Sequence, residues 1–159
     1  MKYLLYKRES DAVFESGQTA PWVVESYVPT VKMWMQGCAT RNQLLWRLVS
    51  LNQCRIYVVK NADGEVIHSS IRVGKCPKFP FLKKGEYEIG PCETAPDWRG
   101  KGIYPTVLQH ILKESRATCY MIVREDNASS IRGIEKSGFL KIGFVEKGKR
   151  GRWSVADGV

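Results

Sequence analysis

One stretch restricts what this chain can fold into more than any other: Asp97-Trp98-Arg99-Gly100-Lys101-Gly102-Ile103-Tyr104-Pro105, followed at once by an apolar repeat. Ile103, Val107, Leu108, Ile111 and Leu112 recur at i, i+4, i+5, i+8 and i+9, the stripe of an amphipathic helix. Pro105 falls in the first turn of that helix, where a missing N–H costs nothing. Upstream, the run from Glu86 to Ala95 reads as a strand whose Gly90-Pro91 pair should distort its ladder. A strand that passes through two glycines into a helix makes an anion site from backbone alone. The first helical N–H groups lack partners, the helix dipole is positive there, and glycine lets a ligand come close. Phosphate is the expected guest. The spacing matches neither the nucleotide phosphate loop nor the dinucleotide fingerprint.

The flanking segments supply the rest of a mixed α/β unit. Residues 1–8 read as a first strand, and residues 21–36 are aromatic and irregular, with two prolines that forbid one long helix. Apolar residues at 44, 45, 48, 49 and 51 predict a short helix. Two alternating runs around Ala62-Asp63-Gly64 predict a hairpin over 55–73, and 75–85 is a proline-bearing loop. After the helix, residues 118–125 form a buried strand by their apolar run. Residues 126–139 then form a short helix opened by Asp126 or Asn127 and closed by Gly138 in the left-handed region. Two more strands end the chain. The predicted order is β, helical region, β, β, β, α, β, α, β, β, in one domain over 1–159.

Charge and cysteine content narrow the partners. The formal charge is +9, divided as +5 over residues 1–80 and +4 over 81–159, which argues against a basic tail and favours polyanions or phosphorylated small molecules. No nucleic-acid-binding signature is present, and the basic run 147–152 reads as a solvated hairpin turn. The five cysteines, Cys38, Cys54, Cys76, Cys92 and Cys119, are irregularly spaced with no CxxC pair, and only His68 and His110 are there to complete a metal site. Reduced thiols and no metal are expected. The opening residues have an apolar core too short for a secretory or membrane segment, so a cytoplasmic protein is expected.

Two motifs in register resemble those of the GCN5-related N-acetyltransferases. Pro96-Asp97-Trp98-Arg99-Gly100-Lys101-Gly102 resembles their acyl-CoA-binding turn, Arg/Gln-x-x-Gly-x-Gly/Ala after a strand. Asn127 to Phe139 resembles their second motif, an Asn followed by a short helix that ends in Gly-Phe. The likeness spans about residues 86–145, and the 55–73 hairpin fits as the second and third strands. It implies a mainly antiparallel central sheet flanked by helices, with a splayed strand pair at the cofactor cleft and acetyl-CoA as co-substrate. The core for the cofactor is 55–145. The acceptor site would be built from 1–54, the aromatic segment 21–38 above all, and from 74–85.

Carried over by position, the resemblance implies that N–H groups from Gly100 through Lys101, Gly102 and Ile103 to Tyr104 hold the diphosphate, with Arg99 and Lys101 reinforcing them. The strand at Cys92, Glu93 and Thr94 would pair with the pantetheine and present an N–H to the thioester oxygen. Asn127 would bond the pantetheine arm, and Ser130 would contact the cofactor. An amine that attacks a thioester must lose a proton, and Glu93 and Glu88 are the candidate bases, with Glu93 preferred because it lies at the splay. On a regular strand these two, five residues apart, face opposite ways, but a bulge at Gly90-Pro91 alters that. Cys92 has no His near it in sequence and reads as a buried apolar thiol rather than a nucleophile. Two positions depart from the family. Ile134 occupies the place of a Tyr general acid, and Tyr104 replaces the last small residue of the turn, its ring expected beside Pro105 or at the acceptor channel. The implied activity is acetyl transfer to the amine of a small metabolite: an amino sugar, an amino acid or a polyamine. The alternative is a non-catalytic module that binds coenzyme A or nucleic acid on the same fold, and a homodimer is compatible with either.

Overall fold

Strands with apolar side chains on both faces need cover on both faces, and the sheet of this protein has it. The computed structural model describes residues 2–10, 21–35 and 41–156, so Cys38 and part of the aromatic segment lie outside the described residues. The elements run β1 (Tyr3–Arg8), β2 (Glu25–Tyr27), α1 (Val31–Met35), α2 (Arg41–Val49), β3 (Cys54–Lys60), β4 (Val66–Gly74) and β5 (Tyr87–Thr94). They continue α3 (Ile103–Ser115), β6 (Cys119–Arg124), α4 (Ala128–Lys136), β7 (Leu140–Lys147) and β8 (Trp153–Val155), with 3-10 turns at Pro96–Trp98 and Lys149–Gly151. The strands form one sheet in the order β2-β3-β4-β5-β6-β1-β7-β8. Each neighbouring pair is antiparallel except β5 and β6, which are parallel.

The hairpin and the basic turn form as their sequences predict. Asn61 Oδ1 accepts from the N–H groups of Asp63 and Glu65 at 3.1 and 2.9 Å, and Gly64 takes a φ of +82°, which only glycine adopts without strain. The basic run is a 3-10 turn between β7 and β8, closed by Gly148 N–H on Arg152 O at 2.8 Å. One element differs from expectation: the irregular segment contributes β2, a three-residue edge strand on β3, too short for alternation to reveal it. The loop 74–85 buries Cys76, Phe79 and Leu82 in the core.

Two apolar clusters sit on the two faces of the sheet. On one, Tyr57, Val59, Ile67 and Ile89 meet Ile103, Val107, Leu108 and Ile111 of α3 and Ile134 of α4. The expected stripe of α3 is thus the buried one, with Leu112 packed at its edge. On the other face, Leu5, Ile56, Val58, Ile71 and Val73 meet Phe79, Leu82 and Trp153, with Trp46 of α2 at the margin. Each such aliphatic side chain contributes about 1.5–3 kcal/mol when fully buried.

β5 and β6 share only two rungs, Tyr87 with Cys119 and Glu88 with Tyr120. Beyond Glu88 they part, β6 staying with β1 and β5 with β4. The expected splay is therefore real, and it opens at the carboxyl ends of two parallel strands, beside the N-termini of α3 and α4.

Candidate active site

Which groups face the split is decided by a one-residue bulge. On the near half of β5, Val73 opposes Glu88 and Arg72 opposes Ile89. On the far half, Ser70 opposes Cys92, Ser69 opposes Glu93 and His68 opposes Thr94, so Gly90 and Pro91 together stand against Ile71. Directly opposed residues share a face. Val73 and Ile71 belong to the cluster away from the helices, and Ser69 keeps their parity. Glu88 and Glu93 therefore lie on the same face, despite being five apart, while Cys92 and Thr94 turn toward the helices. The backbone follows the same parity. Ala95 N–H bonds Ile67 O at 2.9 Å, and alternation along an antiparallel ladder then makes Ser69–Glu93 a hydrogen-bonded pair. His68–Thr94 and Ser70–Cys92 are non-bonded pairs, which turns the N–H and C=O of Cys92 and Thr94 away from β4 and into the split.

The glycine turn borders the same space. Gly100 and Gly102 have φ of +74° and +75°, and a Cβ at either position would meet no atom within 4 Å. Both glycines are thus required by the backbone, and both leave open room in front of it. Gly102 caps α3 without a side-chain bond, so the first N–H groups of the helix stay available to an anion. A cleft of about 670 Å³ is lined by Cys92, Glu93, Thr94, Arg99, Gly100, Gly102, Ile103, Tyr104, Asn127 and Ser130 of the expected residues, and by Trp98, Arg132 and Lys136 among others. Lys101 and Glu88 are not in its lining. The Lys101 ammonium lies over the Trp98 ring, 4.4 Å from its centroid, and its carbonyl accepts from Trp22 Nε1 at 3.0 Å. Arg99 reaches back through Nε to Thr94 O at 3.0 Å.

Tyr104, next to Pro105 in the first turn of α3, lines the cleft. Its ring lies on Gly133 of α4, where a Cβ would come within 2.7 and 2.8 Å of Cδ1 and Cε1. Its hydroxyl stands 4.0 Å from Met121 Sδ, and burial raises its pKa. The bulky residue fits the turn because α4 offers a glycine beneath it. Asn127, in the lining of the cleft, caps α4 by accepting from Ser130 N–H at 3.2 Å, a role that uses its amide oxygen and not its nitrogen. Gly138 closes α4 at φ +79°, as expected. Ile134 is 1% exposed and belongs to the core.

The two carboxylates differ in surroundings. Glu93 stands at the exposed rim of the cleft. Glu88 is 4% exposed at the vertex of the split, its Oε2 without a hydrogen-bond partner among the described residues. Burial pushes its pKa up to about 8, partly offset by the Lys78 ammonium. Beside Glu88 the strand is glycine, and a Cβ at Gly90 would stand 2.8 Å from Oε1.

A model of the acetyltransferase (GNAT) family matches residues 20–139, well over half of the chain. The chain belongs to the acetyltransferase (GNAT) family. No curated protein matches it. Solved structures with the same fold include a GCN5-related N-acetyltransferase from Sphaerobacter thermophilus, at 13% identity and a TM-score of 0.63 over 89% of this chain and 48% of that one. A GNAT-family acetyltransferase from Colwellia psychrerythraea gives 13% and 0.60 over 88% of this chain and 52% of that one, so this chain spans about half the length of both. The ribosomal-protein-S18-alanine N-acetyltransferase of Escherichia coli gives 14% and 0.56 over 82% and 88%. These likenesses establish a GNAT fold.

Within this GNAT domain, several neighbours of the cleft have no signal in the sequence. Trp22 reaches the turn from 79 positions away, and its ring meets Trp98 edge to face at 5.8 Å. Arg132 and Lys136 are ordinary exposed helix cations until α4 is placed beside the turn. His68 Nδ1 lies 2.7 Å from Thr94 Oγ1 and Nε2 lies 2.8 Å from Ser70 Oγ. Ser70 in turn hydrogen-bonds the Cys92 thiol. Cys92 does have a histidine close by, then, through one hydroxyl. Burial still pushes that thiol up to about 12, which agrees with reading it as a packing residue and not a nucleophile. Among the described residues no three His, Cys, Asp or Glu side chains group as metal ligands, and no helix is long and apolar enough to cross a membrane.

Proposed function

We propose that this chain transfers the acetyl group of acetyl-CoA to the amine of a small metabolite by direct attack. The observation that carries the reading is the split itself: the N–H groups of Cys92 and Thr94 point into a cleft that ends at the N-terminus of α3, where no side chain bonds the first N–H groups. Those groups suit a chain that must lie extended along β5 and end in phosphates. Acetyl-CoA would supply a thioester whose carbonyl carbon an amine can attack. Gly100, Gly102, Ile103 and Tyr104 would hold the diphosphate through backbone N–H groups, with Arg99 beside them. The Asn127 amide and the Ser130 hydroxyl would orient the pantetheine arm, and an N–H of Cys92 or Thr94 would face the charge that develops on the carbonyl oxygen.

The choice of base moves from Glu93 to Glu88. A base that relieves an ammonium group near neutral pH works best with a pKa close to that pH, and the buried carboxyl at the vertex has one. The exposed Glu93, on the same face, is placed to attract a cationic acceptor toward the vertex. That acceptor is a small amine, in the class of an amino sugar, an amino acid or a polyamine. A spermidine N-acetyltransferase chimera, derived in part from Vibrio cholerae, shares the fold at 17% identity and a TM-score of 0.55 over 81% of this chain and 89% of that one. The reaction is assigned to the cytoplasm, with residues 1–159 acting as one unit.

The test is coenzyme A release from acetyl-CoA across a panel of amines, followed by mass spectrometry of a cell extract incubated with the protein and labelled acetyl-CoA. An amine-dependent release with an acetylated product supports the reading. Tight acetyl-CoA binding with no turnover on any amine favours a cofactor-holding module instead, in keeping with the aliphatic Ile134.

A further inference from the structure

The far half of β5 poses a mechanical problem. From Pro91 to Thr94 it has lost β6 and is held from one side only, by β4. An edge strand so held frays readily, because few contacts oppose its opening. The side chains on its helix-facing side answer this. His68–Thr94 and Ser70–Cys92 are register pairs of the non-bonded kind, in which opposed side chains come closest. The His68 ring, 1% exposed, spans both: one ring nitrogen meets Thr94 Oγ1 at 2.7 Å and the other meets Ser70 Oγ at 2.8 Å. Burial lowers its pKa to about 4, so the ring is neutral and has one N–H and one lone pair to offer. One hydroxyl accepts from it and the other donates to it. Ser70 passes the link to Cys92, and the Thr94 carbonyl passes it to Arg99 at the glycine turn.

We propose that His68 is a positioning residue: bridging Ser70 and Thr94, its ring clips the unpaired half of β5 to β4 and so fixes the Cys92 and Thr94 N–H groups toward the split. The kinetic part of this rests on the acetyltransferase reading. The structural part does not.

The test compares His68→Phe, which keeps a ring and loses both bonds, with His68→Gln, which keeps one donor and one acceptor. Amide hydrogen exchange in the ligand-free protein reads the clip directly. In His68→Phe the Glu93 and Ala95 amides, which face β4, should exchange about tenfold faster, while the Leu5 and Met121 amides hold their rates and His68→Gln restores most of the protection. In turnover, His68→Phe should lower kcat by about tenfold and leave the acetyl-CoA Kd within about threefold, because the phosphates sit on the turn and not on β5. Unchanged exchange at Glu93 and Ala95 overturns the proposal, and so does acceleration spread evenly over the sheet. Faster local exchange with an unaltered kcat overturns it as well. Should His68→Phe not fold, Thr94→Val removes the other end of the bridge and must give the same local acceleration. A wild-type protein that neither binds acetyl-CoA nor releases coenzyme A refutes the acetyltransferase reading, and the exchange rates still decide the role of His68.

Discussion

Glu88 holds a carboxyl at the vertex of the split with little to solvate its charge, and its effects on rate and on stability run in opposite directions with pH. Its folded pKa, about 8, lies above that of an exposed glutamate. The folded state therefore binds more protons between the two values. The stability that the neutral carboxyl contributes is complete below the unfolded pKa and is lost as pH rises toward 8. Denaturant titrations should show Glu88→Gln gaining on the wild type over that interval. The base is in its active form only as that stability goes, so wild-type kcat/KM should climb through pH 8. Glu88→Gln should keep acetyl-CoA binding and lower kcat by about 10² to 10⁴ fold, a loss that shrinks at high pH as the acceptor amine deprotonates unaided. A pH–rate profile of Glu88→Gln that parallels the wild type at undiminished height would remove Glu88 from the chemistry. At the turn, Gly102→Val forces a β-branched residue to φ +75° and fills the room in front of the backbone. Calorimetry with acetyl-CoA should find it far more damaging than Lys101→Ala, whose ammonium lies on Trp98 and whose loss should cost about 1 kcal/mol or less.

Between elements, α3 and α4 meet closely at Tyr104 and Gly133. An alanine at 133 has better helix propensity than glycine by about 1 kcal/mol, but its methyl group would press on the tyrosine ring. The sign of Gly133→Ala should depend on residue 104: destabilising by about 1–3 kcal/mol in the wild type, and neutral or stabilising in a Tyr104→Leu background. Thermal unfolding of the four proteins of that cycle measures it, and additive effects would mean the helices part easily at this point. Periodicity made α3 legible in the sequence, the capping residues at its two ends did the same for α4, and Ala62-Asp63-Gly64 between alternating runs revealed the hairpin, because each of those signals is local. The bulge at Gly90-Pro91 was visible as an irregularity, but its outcome was not. Which face Glu93 takes depends on how many β5 residues stand against Ile71, and the register is set by β4. The same holds for His68, 24 positions before Cys92, which reaches it only once β4 and β5 are paired.

For the molecule as a whole, the cleft joins parts that are far apart in the chain: the far half of β5, the glycine turn, the start of α4 and, through Trp22, the segment leading into the edge strand β2. A ligand that binds all of them and only the folded state should raise stability by about 2.7 kcal/mol at 100 times its Kd, or roughly 5–11 °C in Tm for a domain of this size. Scanning with millimolar acetyl-CoA checks this, and an unmoved Tm would count against the site. The parts legible in sequence were those made of glycine and backbone. The brace that Trp22 and Trp98 provide was not, because nothing about a lone tryptophan announces what it will touch. Their edge-to-face contact, with one indole N–H on a carbonyl of the turn and a cation over the other ring, also makes the site its own optical gauge. Indole emission responds to nearby charge and to hydrogen bonding, so filling the turn with a phosphorylated ligand should change the fluorescence of this pair. A Trp98→Phe protein, still carrying four tryptophans, should lose most of that change.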